Sequence, residues 1–184
     1  MREIVLNRGG FSIFARIFGE PDAPALLFLQ GGPGFPAPRE RFEWVETALE
    51  RGYQVVMLDQ RGTGRSTRID SATPSLIDDT VLTQLRASDI IADAEALREE
   101  MGLKQWDVLG QSFGGFCLTH YLAVHPESVG RALFTGGLPS ISEGADGVYR
   151  ATFAKLKRRH LQFNEQYPEA ERTIREVCRH LEAE

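Results

Sequence analysis

Trp106-Asp107-Val108-Leu109-Gly110-Gln111-Ser112-Phe113-Gly114-Gly115 decides the fold of this chain. Trp106 to Leu109 reads as a buried strand. Phe113 to Val124 reads as a helix, stopped at His125-Pro126 because the residue before a proline is pushed out of the α region. Gly110, Ser112 and Gly114 form a G-x-S-x-G on the turn between them. A serine on so sharp a turn sits in strained backbone, and its neighbours two positions away must be small for strand and helix to approach. The turn lifts the Ser112 hydroxyl above the carboxyl ends of the strands, where open α/β sheets bind ligands. The helix N-terminus beneath it favours developing negative charge. The competing reading, a glycine-rich turn whose serine merely caps a helix, is disfavoured by the strand–turn–helix context.

Outward from this turn, strands and helices alternate. Ile4 to Leu6 and Phe11 to Phe18 read as strands joined by Asn7-Arg8-Gly9-Gly10. Ala25 to Leu29, Tyr53 to Leu58 and Ala132 to Phe134 are apolar runs suited to strands buried on both faces. Helices are expected over Glu40 to Leu49 and Val81 to Met101. The second carries Leu82, Leu85, Ile90, Ile91, Ala94, Leu97 and Met101 near helical spacing, with Gly102 as its cap. A polar loop is expected from Ser66 to about Asp79. The alternation implies an α/β fold with a mostly parallel, doubly wound sheet. Beyond Gly136 it gives way to two charged amphipathic helices, Tyr149 to Phe163 and Ala170 to Leu181. The expected division is therefore 1–139 for the α/β core and 140–184 for the start of a helical insertion.

Two further motifs belong with the serine. Gln30-Gly31-Gly32-Pro33-Gly34 follows the strand Ala25 to Leu29. Acyl transfer needs two backbone N–H groups aimed at the carbonyl oxygen as it becomes an anion. Phe113, next to the nucleophile, supplies one and Gly32 is expected to supply the other, on a loop whose glycines let backbone approach substrate. The third motif, Asp59-Gln60-Arg61-Gly62-Thr63-Gly64-Arg65-Ser66, has no G-x-x-x-x-G-K-[ST] and so does not read as a phosphate cradle. Asp59 and Arg61 are expected instead to hold the Gly31-Gly32 loop by hydrogen bonds, the alternative being direct contact with substrate. Gly31, Pro33, Gly34, Gly110 and Gly114 complete the supporting set.

Composition narrows the function classes. The 184 residues are 42% hydrophobic and 26% charged, with a net charge of −5, the profile of a globular protein. No basic stripe stands out to neutralise phosphates, which argues against nucleic acid; the cluster Lys155 to Arg159 reads as a solvated helix face. No apolar stretch is long enough to span a bilayer, and the N-terminus carries no apolar leader. A cytoplasmic location is expected, with no membrane partner. Cys117 and Cys178 lie too far apart for a metal-ligand pattern and read as apolar fillers on helices. No metal or cofactor is expected.

The three motifs, in this order, resemble those of the prolyl aminopeptidase (proline iminopeptidase) family of α/β-hydrolases, which carries H-G-G-P-G, D-Q-R-G-x-G-x-S and G-x-S-x-G-G. Gly136-Gly137-Leu138-Pro139 is similar to the family's lead into its helical cap. Gln30 stands where the family has histidine, as in its longer, actinobacterial-type branch. The resemblance implies a serine aminopeptidase that releases N-terminal proline from small peptides through an acyl-enzyme on Ser112, with acidic cap residues taking the free amine. It also implies an acid and a histidine after the cap, in the order Ser…Asp…His, and nothing in this chain matches either. His120 lies ~12 Å along the helix from Ser112 and His125 ~20 Å, whereas a general base must come within ~3 Å. His160 and His180 fall in the cap-like helices. The chain is thus expected to be truncated, weakly active or inactive, and prone to self-association through an apolar sheet edge. Other readings are an esterase-like α/β-hydrolase and a non-catalytic binding protein of the same fold.

Overall fold

The computed structural model describes residues 1–73, 77–140 and 142–182. They form two compact units, Met1–Pro139 and Ser140–Glu184. Of the polar loop expected over 66–79, residues 74–76 lie outside the described part.

The first unit is built on one six-stranded sheet: β1 (Arg2–Arg8), β2 (Phe11–Phe18), β3 (Ala25–Leu29), β4 (Gln54–Asp59), β5 (Trp106–Gln111) and β6 (Val129–Thr135). Their spatial order is β1-β2-β4-β3-β5-β6. The Gly9-Gly10 turn makes β1 and β2 an antiparallel hairpin, and β2 runs antiparallel to β4. From β4 onward the neighbours are parallel. This is the mostly parallel α/β sheet that the alternating elements imply.

Alternation along each strand divides the core between two faces. Leu27, Leu29, Val56, Leu58 and Val108 point to the side covered by α3 (Ala87–Glu100) and α4 (Phe113–Val124), against Ile91, Leu97, Leu118 and Tyr121. Phe28, Val55 and Met57 point to the other side, where α1 (Glu43–Glu50) packs Val45 and Ala48. Burial on both faces is why these strands read as continuous apolar runs.

Three expectations need correction. The helix expected over 81–101 is two: α2 (Asp79–Leu82) and α3. The Asp78 carboxylate caps α2 by accepting from the Val81 N–H at 2.7 Å. The Asp89 carboxylate accepts from the Arg86 N–H at the start of α3, and Arg61 takes the Gln84 carbonyl between them. A capped start for each segment, with Arg61 holding a carbonyl at the break, outweighs a continuous periodicity, and Leu82 is left exposed. Second, β6, expected to be buried on both faces, is largely exposed; it is the expected sheet edge, since among the described residues only β5 pairs with it. Third, Cys117 is buried as expected of a filler, but Cys178 is exposed.

The second unit is a helical pair, α5 (Ala145–Gln166) and α6 (Pro168–Leu181), broken at Tyr167. Both run longer than their amphipathic patterns suggest. The Phe163 and Tyr167 rings meet across the break, 5.0 Å between centroids. On α6 the pairs Glu169–Arg172 and Glu171–Arg175 bridge successive turns. Among the described residues, no helix is long and apolar enough to cross a membrane.

Candidate active site

The turn between β5 and α4 holds the chain's sharpest backbone feature. Ser112 has φ 50° and ψ −116°, and among the described residues it alone is a non-glycine with positive φ. Such a conformation carries about 1–3 kcal/mol of strain and persists only where the surroundings over-determine it. The surroundings do so by interlocking backbone. A Cβ on Gly114 would stand 1.8 Å from the Leu29 carbonyl oxygen, and one on Gly110 would stand 2.6 Å from the Gly114 oxygen. A Cβ on Gly115 would reach within 1.9 Å of the Gly137 oxygen, and one on Gly137 within 1.9 Å of the Ser112 oxygen. The Ser112 N–H donates to the Thr135 carbonyl at 2.9 Å, and the Ser112 carbonyl accepts from Gly115 at 2.9 Å. The side chain remains exposed, standing at the N-terminus of α4.

The glycine loop stands against it. An added Cβ on Gly31 would lie 3.1 Å from Ser112 Cβ and 3.7 Å from its Oγ, so only glycine leaves the hydroxyl free on that side. Gly32 is exposed with φ 129°, a region closed to ordinary L residues. The Gly32–Pro33 peptide is cis. Phe113 is the first residue of α4, a position whose N–H has no partner within a helix. Gly31 and Phe113 thus both adjoin Ser112.

Hydrogen bonds fix the loop at both ends. Gln30, buried, donates from Nε2 to the Phe35 carbonyl at 3.1 Å, and Gln60 Nε2 reaches the Gln30 carbonyl at 3.3 Å. Asp59, fully buried, accepts from the Ala37 N–H at 2.9 Å, from Arg39 at 3.0 Å and from the Arg65 N–H at 2.8 Å. Asp59 therefore anchors the exit of the loop, residues 37–39, rather than Gly31-Gly32 directly. Arg61 differs from expectation altogether. Its guanidinium forms a two-point pair with Asp93 at 2.8 and 2.6 Å and donates to the Gln84 carbonyl at 3.0 Å. It braces α3 and does not touch the glycine loop. Arg16 was missed from the sequence: buried in β2, it donates to the carbonyls of Ala37, Pro38 and Arg39. An arginine inside an apolar strand was the available signal.

Beneath α4 lies a second polar group. Glu95 accepts from Arg98 at 2.7 Å and, in a very short contact, from the Tyr121 hydroxyl, which in turn accepts from the Trp106 indole at 3.0 Å. Burial opposes the charge on Glu95, but hydrogen bonds from Arg98, Tyr121 and Ser128 prevail and lower its pKa to about 2. Burial, with the Glu95 carboxylate beside it, pushes the Tyr121 phenol well above its ordinary value.

Among the described residues of this unit, no histidine stands beside Ser112 as a base. His120 lies in the middle of α4, and His125 ends it, edge-on to the Tyr121 ring at 6.0 Å and 3.9 Å from Glu127. His160 and His180 lie on α5 and α6 of the second unit. Among the described residues, no group of three or more His, Cys, Asp or Glu side chains could hold a metal ion.

Comparison with known proteins agrees with this architecture. A model of the α/β hydrolase fold family matches residues 24–180. A proline iminopeptidase of Aeromonas sobria is 39% identical over 170 residues, covering 89% of this chain and 40% of that protein. One from Aspergillus aculeatus is 33% identical over 195 residues, covering 95% and 43%. The chain thus spans about two fifths of the length of these relatives. Among solved structures, a proline iminopeptidase-related protein from Thermus thermophilus superimposes with a TM-score of 0.53 at 27% identity, covering 73% of this chain and 44% of that one. An epoxide hydrolase from Vigna radiata, 19% identical with a TM-score of 0.59 over 83% of this chain and 46% of its own, shares the fold alone. The chain belongs to the α/β hydrolase fold family, and the relatives it matches at 33–39% identity are proline iminopeptidases.

Proposed function

We propose that this chain carries the nucleophile and oxyanion site of a serine hydrolase of the prolyl aminopeptidase type, acting on small peptides with an N-terminal proline. The observation that carries the reading is Ser112 itself: exposed, held at φ 50°, with the Gly31 backbone against it and α4 beginning at the next residue. Sequence similarity to proline iminopeptidases supplies the substrate class.

In this reading Ser112 Oγ attacks the prolyl carbonyl carbon and its proton passes to a base. The oxygen that becomes negative is held by the N–H groups of Phe113 and Gly32. Collapse of the tetrahedral intermediate breaks the C–N bond, and the shortened peptide leaves as an amine that takes up the proton. Water then hydrolyses the prolyl ester and releases proline. Removing one oxyanion donor lowers such rates by ~10²–10³. The α/β-hydrolase order Ser…Asp…His puts acid and base on the C-terminal side of Ser112, and neither His160 nor His180 is assigned that role. With no histidine beside Ser112 among the described residues of the first unit, the chain by itself turns over slowly.

A fluorophosphonate probe tests the nucleophile. Labelling at Ser112, abolished in Ser112→Ala, is the expected result; an unlabelled, folded chain overturns the reading. The substrate class is tested with proline p-nitroanilide against p-nitrophenyl acetate. Slow turnover that favours the anilide is expected, whereas cleavage of the ester alone points to an esterase.

A further inference from the structure

A cavity of about 320 Å³ opens beside the glycine loop, between Pro33-Gly34 and Phe113. These residues belong to the two segments that flank Ser112. Its remaining apolar walls are Ile69, Leu85 and Ile90. The polar side chains that line it are already committed. Arg61 is neutralised by Asp93 at 2.6 Å and lies over the Phe11 ring, 4.8 Å from its centroid. Gln60 holds the Gln30 carbonyl, and the Thr63 hydroxyl donates to the Gln60 carbonyl at 2.7 Å. What remains for a ligand is a mostly apolar lining whose one charge is paired, in a volume at the lower end of small-molecule sites.

The cavity is far larger than the three methylenes of a proline ring require. We infer that it is the subsite for an apolar side chain on the residue that follows the scissile bond, and therefore that the enzyme prefers peptides whose second residue is leucine- or phenylalanine-like over those with glycine there. This rests on the prolyl aminopeptidase reading for the identity of the first residue. The cavity belongs wholly to the first unit, so the preference is a property of the α/β core. Leu85 is one of its walls and lies against Gly62, where an added Cβ would meet its Cδ2 at 3.6 Å.

The test does not depend on turnover. The full chain carrying Ser112→Ala, with labelled Ile and Leu methyls, is titrated by NMR with prolyl-phenylalaninamide and with prolyl-glycinamide. The expected result is saturable shifts at Ile69, Leu85 and Ile90, with the phenylalanine amide binding about tenfold more tightly, the worth of one buried apolar side chain. Leu85→Trp, which fills the cavity, removes that advantage. Equal binding of the two amides, shifts elsewhere only, or an advantage that survives in a folded Leu85→Trp chain overturns the inference. If the tryptophan variant does not fold, the comparison of the two amides in the Leu85 chain decides alone. Fluorophosphonate labelling of the unsubstituted chain keeps the two readings apart. Labelling of Ser112 with silent cavity methyls removes the subsite and leaves the hydrolase. Cavity binding without labelling overturns the hydrolase reading and, with it, the assignment of the cavity to the residue after the scissile bond.

Discussion

At Gly114 a single methyl group decides whether the Ser112 turn can form at all. Alanine there would force its Cβ to 1.8 Å from the Leu29 carbonyl oxygen, a contact with backbone that no rotamer relieves. Gly114→Ala is expected to destabilise the chain by about 3 kcal/mol or more, at the top of the range for overpacking, as measured by urea unfolding. The same variant is expected to lose Ser112 labelling. The elbow was legible in the sequence because its requirement is local: two glycines and a serine at fixed offsets state the geometry outright. Arg61 was misread because its partner, Asp93, lies 32 positions away on a helix the motif does not mention. Arg39 gave no signal at all, and only the folded loop brings it to Asp59.

Elements are joined here by buried polar contacts as much as by apolar ones. Glu95 on α3, Tyr121 on α4 and Trp106 on β5 form one chain of hydrogen bonds that ties the two helices to the sheet. The Glu95 carboxyl titrates lower in the folded chain than in the unfolded one, so its contribution is complete above its ordinary value of 4.5 and is lost as pH falls toward about 2. Unfolding by urea at a series of pH values is expected to show this decline. Glu95→Gln is expected to remove the decline and to lower stability near pH 7 by about 1.5–3 kcal/mol, the range for hydrogen bonds to a charged group. A Gln variant with an unchanged pH profile would contradict the assignment. This network could not be read from sequence, where Glu95 looks like any solvated helix residue. The break between α2 and α3 escaped for a related reason: apolar spacing runs through it, and Arg61 marks it only in three dimensions.

For the whole molecule, the sheet was legible because its strands are buried on both faces and so read as uninterrupted apolar runs. Strand order was not, since the β3–β4 exchange depends on crossovers that leave no local trace. The edge strand β6 sets the solution behaviour. Leu133 is 46% exposed on a strand that, among the described residues, is hydrogen-bonded on one side only, an arrangement that invites pairing with another chain. Sedimentation velocity is expected to show association that rises with concentration, and Leu133→Lys is expected to reduce it. A monomer at high concentration with Leu133 intact would count against edge pairing. The end of that strand has one more consequence. Gly137 rests on the Ser112 carbonyl, and Gly115 rests on Gly137. The main chain just past β6 is therefore stacked on the peptide of Ser112 itself, so any side chain introduced at Gly137 would lean directly on the turn that holds the hydroxyl out.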